Sequence, residues 1–260
     1  MPHYKMTVSY DGTDFHGWQK QTPPDAEPMR TCQGVLEDTV RRVVREPVTV
    51  LGASRTDAGV HSVGQVAVFR STLNLPLDRL RIAINGRLPG DMQVHDLKLT
   101  GESFNPISDA LSKGYDYSIS FGSPMKHDRP LFDRHMHTWL PFDLNVDLMN
   151  DAAQHLVGEF DFASFTRVNH GRKGTTREVY SCVCEQTGPH RCVIKVTGSG
   201  FLYNMVRIIA GTLTQVGRGQ RAVEAVPAIL NACDRAMAGP TLPPEGLCLM
   251  WIKYPDEVDL

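Results

Sequence analysis

The order of hydrophobic patterns along the chain constrains its fold more than any other feature. Strand-like and helix-like patterns follow a βαββαβ order over residues 3–10, 33–45, 48–53, 63–69, 77–86 and 92–98. The order recurs with insertions over residues 114–121, 145–157, 177–186, 191–198, 202–215 and 247–252, with a further helix at 221–232. Two such halves predict an α+β fold in which the sheets join into one continuous antiparallel sheet, with helices on one side and a central cleft. We therefore expect an N-terminal subdomain, 1–100, and a C-terminal subdomain, 101–260.

Composition restricts the class of protein. The 260 residues are enough for a sizeable core, and no apolar run approaches the roughly 20 residues of a membrane span. The N-terminus passes directly into the first strand pattern without a signal-peptide core. Six scattered cysteines do not form a disulfide framework, and no paired cysteine or histidine motif has metal-ligand spacing. These observations predict a cytoplasmic protein with reduced thiols, no membrane partner and no metal.

The charge is unevenly distributed. The net charge of −2 argues against indiscriminate binding of nucleic acid. Residues 161–221, however, carry nine Lys and Arg against three acidic residues. This segment predicts a basic surface on an acidic body, suited to phosphate groups. A solvated run of charge without special purpose is the equally weighted alternative.

One carboxylate stands in a turn between two strand patterns. Asp57 follows Arg55 by two positions, and Gly59 gives the turn its backbone freedom. The arginine could neutralise the carboxylate or contact an anionic substrate. Asp57 is therefore a candidate nucleophile. A structural ion pair or turn cap is the more common use of such residues.

The sequence motif around that turn resembles the motif of a known family. SRTDAGVHSVGQVAVF (54–69) is similar to the signature of the TruA family of transfer RNA pseudouridine synthases. Further blocks resemble that family in the same order: YDGTDFHGWQ (10–19), TCQGVLE (31–37), GEFDFASF (158–165) and GSGFLYNMVRIIAGTLTQVGRG (198–219). The resemblance implies isomerisation of uridine to pseudouridine in the anticodon stem-loop, at transfer RNA positions 38–40. It also implies a homodimer, and a reaction that needs no cofactor because no net redox change occurs.

The resemblance assigns the reaction to two polar residues, and the helix pattern adds a third. Asp57 would be the nucleophile, attacking either the ribose carbon or the base. Arg55 would help to extrude the target nucleotide from its stack. Arg207 lies on an apolar helix, where an unpaired charge is costly, so we expect it to meet a carboxylate in the cleft, with Asp57 as the candidate. An arginine that reaches water from the helix edge is the rival interpretation.

Three residues are candidates for the walls of the base pocket. By resemblance, Tyr115 would stack on the target base, and its hydroxyl could assist removal of the C5 proton. Tyr117 lies on the same strand face and is the competing assignment. Leu247 would be an apolar wall by resemblance, whereas its pattern alone indicates a core residue.

For RNA contact, the resemblance points to the basic loop that holds Arg167, His170, Arg172 and Lys173. Tyr10 and Trp18 are predicted to pack in the core and not to stack on bases.

The chain departs from the family at residues 104–107. Phe104, Asn105, Pro106 and Ile107 stand where the family usually has an arginine at the fourth position, so one RNA contact is missing. This departure leaves open an RNA-binding protein without turnover.

A hydrolase that uses carboxylates, such as a glycosidase, is a second alternative. It would need a second carboxylate.

Overall fold

The computed structural model describes residues 1–21, 29–123, 129–167 and 174–255. The strands in chain order are β1 (His3–Tyr10), β2 (Leu51–Gly52), β3 (His61–Arg70), β4 (Met92–Thr100), β5 (Ser112–Phe121), β6 (Thr138–Leu140), β7 (Gly158–Asp161), β8 (Thr176–Gly188), β9 (Arg191–Gly198) and β10 (Leu247–Lys253). The helices are α1 (Cys32–Val44), α2 (Leu77–Asn85), α3 (Val146–Gln154), α4 (Met205–Gly217) and α5 (Ala225–Ala232). The strands belong to one open, mostly antiparallel sheet, so the α+β class is confirmed.

The chain divides into two compact units, Met1–Leu111 with Leu249–Leu260, and Ser112–Cys248. The predicted subdomains 1–100 and 101–260, with catalysis assigned to the first and RNA contact to the second, stay a prediction. So do the central cleft and the single helical face.

The first unit contains the predicted βαββαβ order. Its strands lie in the order β4-β1-β3-β10, and β2 pairs with β3. Helix α1 begins where the Thr31 side chain accepts a hydrogen bond from the Gly34 N–H. Leu36 and Val40 on its buried face pack into one core with residues of β1 such as Met6. This packing fixes the helix against the sheet.

The strand predicted over 48–53 is reduced to two residues. Side chains of α1 take up the backbone groups that would otherwise pair with a neighbouring strand. Arg41 Nε donates to the Val48 carbonyl at 2.7 Å, and the Val50 N–H donates to Glu37 Oε2 at 2.9 Å. Gln33 Nε2 donates to the Val50 carbonyl at 2.8 Å. The alternating valines therefore mark burial and not strand pairing.

The second unit has its strands in the order β5-β9-β8-β7, with β6 parallel to β5. Helix α3 packs against β8 and α4. Strands β6 and β7 were not predicted, because three or four residues are too few to set up an alternating pattern.

Helix α4 begins at Met205 and not at 202. Asn204 has φ +61°, a left-handed conformation that cannot continue an α-helix towards the N-terminus. The helix then presents a nearly continuous buried surface that includes Ile208, Ile209 and Leu213. The N-terminal end of α4 is thereby set by one residue, three positions before Arg207.

Candidate active site

The connection between β2 and β3 holds Asp57 in a tight turn. The Val60 N–H donates to the Asp57 carbonyl at 3.2 Å, and Gly59 has φ +79°, which favours glycine. Asp57 is half-buried, Arg55 is exposed and Thr56 between them is buried. The alternation turns the charged side chains at 55 and 57 away from the core and the threonine into it. We call residues 54–60 the Asp57 loop.

The segment 10–18 supports the Asp57 loop from one side. The hydroxyl of Tyr10 hydrogen-bonds Thr56 Oγ1 at 2.8 Å, and the Trp18 N–H donates to the Thr56 carbonyl at 3.0 Å. A Cβ on Gly17, which has φ +87°, would lie 2.8 Å from that same carbonyl oxygen. Tyr10 and Trp18 are 4% and 1% exposed, which confirms that they are packing residues. The resembling block YDGTDFHGWQ is thus the support of the loop.

Gln65 in β3 supports the loop from the other side. Its Oε1 accepts from the Ser54 N–H at 3.1 Å, and its Nε2 donates to the Ser54 carbonyl at 2.6 Å. The side chain is fully buried, so both amide groups need protein partners, and Ser54 supplies one to each. Sequence reasoning missed Gln65; an amide among Val66, Ala67 and Val68 was the available signal.

His61, at the start of β3, was also missed. Its imidazole is 2% exposed, and Nδ1 accepts from the Gly12 N–H at 3.0 Å. The Asp11 carboxylate lies 3.2 Å from the same nitrogen. A buried histidine that bonds backbone 49 residues away ties the segment around Gly12 to the end of the Asp57 loop.

In the second unit, Tyr115 lies near the start of β5. Its ring is 7% exposed and meets Phe201 edge to face, with ring centroids 5.2 Å apart and an interplanar angle of 84°. Phe201 belongs to the FLYN string that leads into α4. The contact gives the tyrosine ring a fixed orientation, which is what a stacking residue requires.

Tyr117, the competing assignment, is buried more deeply. Its hydroxyl contacts Thr138 Oγ1 at 2.6 Å and donates to the Pro243 carbonyl at 2.7 Å. Burial raises the pKa of this phenol, with Glu245 adding to the rise, while the bond to Thr138 and the charge of Arg207 oppose it. A phenol with a raised pKa stays protonated, and this one is already bonded to two protein partners, so it is poorly suited to act as a general base. These contacts fit a structural role for Tyr117, and the choice of Tyr115 for the site stays a prediction.

Arg207 is held in place near the N-terminus of α4. Its Nε donates to the Leu242 carbonyl at 2.7 Å and its Nη1 donates to Asn204 Oδ1 at 3.1 Å. The Leu242 N–H in turn donates to the Arg207 carbonyl at 3.2 Å. Two groups of its own unit therefore hold the guanidinium, and the third bond joins the backbones of Arg207 and Leu242. The predicted pairing with Asp57 joins residues of different units and stays a prediction.

Leu247 is 7% exposed at the start of β10. Gly246, just before it, is packed so closely that a Cβ would lie 3.0 Å from the ring of Tyr117. The burial fits the interpretation of Leu247 as a core residue, and its role as a wall of the base pocket stays a prediction.

Arg167 is exposed directly after Thr166, whose hydroxyl donates to the Tyr203 carbonyl at 3.1 Å. This bond ties the start of the basic loop to the segment before α4. The other predicted RNA contacts, His170, Arg172 and Lys173, lie outside the described residues.

The departure at 104–107 forms a turn of its own. Asn105 Oδ1 accepts from the Ile107 N–H at 2.9 Å, and Tyr254 donates to the Pro106 carbonyl at 2.8 Å. Ile107 is 55% exposed. A solvent-exposed apolar side chain therefore occupies the position where the family arginine is expected.

The predicted site residues fall into two groups. Arg55 and Asp57 share one loop of the first unit; Tyr115, Arg207, Leu247 and Arg167 belong to the second. In the described part of the chain, no cluster of three or more His, Cys, Asp or Glu is suited to a metal ion. Nor does a described helix combine the length and the apolar character needed to cross a membrane.

Comparison with known proteins agrees with the arrangement of these motifs. A family model described as tRNA pseudouridine synthase matches residues 6–106 and 152–255, which includes the Asp57 loop and α4. The chain belongs to the tRNA pseudouridine synthase family. This pseudouridine synthase is 38% identical over 255 residues to tRNA pseudouridine synthase A of Caldicellulosiruptor bescii, covering 98% of this chain and 100% of that one. It is 41% identical over 258 residues to tRNA pseudouridine synthase A of Geotalea uraniireducens, with the same coverage. Members of this family are isomerases that act on transfer RNA, so the protein is such an isomerase. The predicted resemblance to the TruA family is confirmed.

Proposed function

We propose that this protein isomerises uridine to pseudouridine in the anticodon stem-loop of transfer RNA, with Asp57 as nucleophile, and works as a cytoplasmic homodimer. The observation that carries the proposal is the support of the Asp57 loop by Tyr10, Trp18 and Gln65. A side chain that must meet one atom of a large substrate has to be held within a fraction of an ångström. The buried bond to Thr56 and the partly buried bonds to Ser54 supply that constraint.

The reaction breaks the bond between ribose C1′ and uracil N1 and forms one between C1′ and C5. Asp57 attacks C1′ or adds to the base, and it leaves again as the new carbon–carbon bond is completed. The hydrogen at C5 is lost to solvent, and N1 gains one. No atom other than hydrogen leaves or enters, so the balance requires no oxidant, reductant or cofactor.

The other residues bind and orient the substrate. Arg55, exposed beside Asp57, occupies the space that the extruded nucleotide leaves, since a planar guanidinium can stack there. Tyr115 stacks on the target base, and its edge contact with Phe201 supports that orientation. Leu247 provides an apolar wall. Arg207 pairs with the Asp57 carboxylate, and the bonds to Leu242 and Asn204 hold its guanidinium ready for that contact.

Arg167, together with His170, Arg172 and Lys173, binds the phosphate backbone of the RNA. Arg167 is exposed and follows a residue bonded to the segment before α4, which supports a basic contact near that helix. The test is the salt dependence of RNA binding. Neutralising Arg172 and Lys173 is expected to weaken binding and to reduce the slope of log K against log salt by about one per phosphate contact.

The function itself is tested by tritium release from transfer RNA labelled at uracil C5, followed by mapping of the modified positions. Release, with pseudouridine in the anticodon stem-loop, supports the proposal. Pseudouridine only elsewhere in the molecule would contradict the assigned target. Free uracil would indicate a hydrolase, because isomerisation keeps base and sugar joined. Binding without release or pseudouridine would indicate an RNA-binding protein.

A further inference from the structure

The most exposed large apolar side chain in the described part of the chain is Phe132, at 95%. It stands in a turn of residues 131–137, here called the Phe132 turn, which directly precedes β6. Leu131 beside it is 64% exposed, and Met136 is 43% exposed. Single exposed apolar residues are normal, whereas a nearly bare phenylalanine with two apolar neighbours marks an interaction surface.

The Phe132 turn is fixed in shape. Arg134 Nη1 donates to the Leu131 carbonyl at 2.8 Å, and the Met136 N–H donates to the Asp133 carbonyl at 2.9 Å. Arg191 in β9 forms an ion pair with Asp133 at 2.6 Å, which ties the turn to the sheet. The aromatic ring is therefore presented on a constrained backbone, so little conformational entropy is lost when it binds a partner.

The charges around the ring favour an anionic partner. Arg129 and Arg134 are both exposed and flank Phe132 in the chain. Of the two carboxylates in this stretch, Asp133 is already compensated by the ion pair with Arg191, and Asp128 lies outside the described residues. A cationic surface with an exposed aromatic ring is the combination that binds unpaired nucleotides, through phosphate contacts and stacking on the base.

The position of the turn separates it from the base pocket. Arg191, which holds Asp133, pairs with Ser120 in β5. Ser120 lies five residues along that strand from Tyr115, or roughly 16 Å at the usual rise per residue. A nucleotide on Phe132 is therefore a different one from the target uridine at Tyr115.

A second copy of the chain fits the surface less well. The side chains of Leu131, Phe132 and Met136 offer a few hundred Å² at most, whereas a stable dimer buries about 800 Å² on each partner. The flanking arginines would also repel their counterparts across a symmetric contact.

We propose that the Phe132 turn is a second contact for transfer RNA, in which Phe132 stacks on an unpaired base other than the target and Arg129 and Arg134 bind the adjoining phosphates. The inference rests on the proposed function for the identity of its ligand, and it is independent of the role of Asp57. The contact adds affinity and orientation and takes no part in the bond-making steps.

The test compares Phe132→Ala with Phe132→Trp. Ile82→Ala is the matched control, since Ile82 is an apolar residue of α2 in the first unit and is 64% exposed. The probe is unmodified full-length transfer RNA. Loss of one stacking contact is worth about 1–3 kcal/mol, so Phe132→Ala is expected to raise the dissociation constant about 5- to 150-fold. At saturating RNA, kcat stays unchanged. Phe132→Trp retains the affinity, and Arg129→Ala lowers the salt slope by about one.

An unchanged dissociation constant for Phe132→Ala overturns the inference. So does weaker binding accompanied by a lower sedimentation coefficient, because the partner would then be a second copy. Tritium release by the wild type separates the two proposals. Weaker binding by Phe132→Ala without wild-type release would keep the contact and refute the reaction. Release with unchanged affinity would keep the reaction and refute the contact.

Discussion

The side-chain amide of Gln65 pairs with both backbone groups of Ser54, accepting from its N–H at 3.1 Å and donating to its carbonyl at 2.6 Å. The two residues thereby reproduce a short piece of strand pairing at the point where the backbone leaves β2 for the Asp57 loop. Arg55 follows Ser54 immediately, and Asp57 is two residues further. A fully buried amide therefore determines where the candidate nucleophile begins its turn.

Gln65→Leu is expected to lower the free energy of unfolding by about 1–3 kcal/mol, because two partly buried backbone groups of Ser54 lose their hydrogen bonds to the amide. It should also lower kcat while leaving the dissociation constant for transfer RNA unchanged, since the loop loses its position and the RNA surface does not. Denaturant unfolding and tritium release measure the two effects. Gln93→Leu on β4, where the side chain is exposed, is the control and should change neither. Wild-type kcat in a folded Gln65→Leu protein would contradict the supporting role.

A double-mutant cycle isolates the bond between Tyr10 and Thr56. Their oxygens are 2.8 Å apart in the buried interior, and Gln65 Nε2 is 3.5 Å from the same hydroxyl of Tyr10. Tyr10→Phe and Thr56→Val each remove one partner. We expect a coupling free energy of about 0.5–3 kcal/mol, with the stability loss of the double variant smaller than the sum of the single losses. Additive losses would mean that the two side chains act independently.

The fold was largely predictable from the chain because α1, β3, β5 and β9 carry long patterns of burial that no competing signal interrupts. The errors occur where a few specific bonds override the pattern. The strand expected over 48–53 is one case, since Arg41, Gln33 and Glu37 take its backbone groups. Helix α1 supplies those side chains, and their reach is visible only once the helix is folded against the sheet.

Asn204 is expected to set the position of Arg207 through its conformation and its side chain. Asn204→Gly keeps the left-handed backbone and loses the bond to Arg207 Nη1; Asn204→Ala loses the bond and also places an alanine at φ +61°. The alanine variant should therefore be less stable than the glycine variant by about 1–2 kcal/mol. Both should lower kcat to a similar extent, since both remove the bond that Asn204 makes to the guanidinium. Thermal unfolding and tritium release measure the two effects; equal stability of the variants would contradict the assigned strain.

Glu37 is expected to make stability depend on pH. Burial by itself would raise its pKa, but hydrogen bonds from Lys20 and the Val50 N–H and the charges of Lys20 and Arg41 hold the pKa below its usual range. The carboxylate is 3% exposed and lies 2.8 Å from Lys20 Nζ and 2.7 Å from Arg41 Nη2. A lowered pKa in the folded state contributes stability that is fully present above the unfolded pKa of about 4.3 and is lost as pH falls through the folded value.

Glu37→Gln should therefore reduce the free energy of unfolding at pH 7. The difference from the wild type should shrink as the pH is lowered from about 4.3 through the folded pKa. Urea unfolding at a series of pH values between 3 and 7 measures this difference. Asp38→Asn on the exposed side of α1 serves as control. A difference that grows towards low pH would mean that the carboxylate is not stabilised by its cations.

The sequence motifs of the candidate site could be recognised in the chain, but the contacts between their residues could not be predicted. Asp57 and Arg55 stand out because the turn between two strand patterns can be read locally. Gln65, His61 and Asn204 act through hydrogen bonds to the backbone or to another side chain. The position of a glutamine in an apolar strand does not predict which backbone group its amide will bond. Tyr115 and Tyr117 share one strand face, and only the hydroxyl contacts of Tyr117 with Thr138 and Pro243 separate their roles.

The most direct test of the account is tritium release from transfer RNA labelled at uracil C5 by the wild type, Asp57→Asn and Asp78→Asn. Asparagine keeps the shape of the side chain and removes the nucleophile; Asp78 is an exposed carboxylate of α2 and serves as the matched control. We predict release by the wild type and by Asp78→Asn, and a loss on the order of 10⁴-fold or more for Asp57→Asn, with unchanged affinity for the RNA. Release by Asp57→Asn at a rate near that of the wild type would contradict the assignment of Asp57 as the nucleophile.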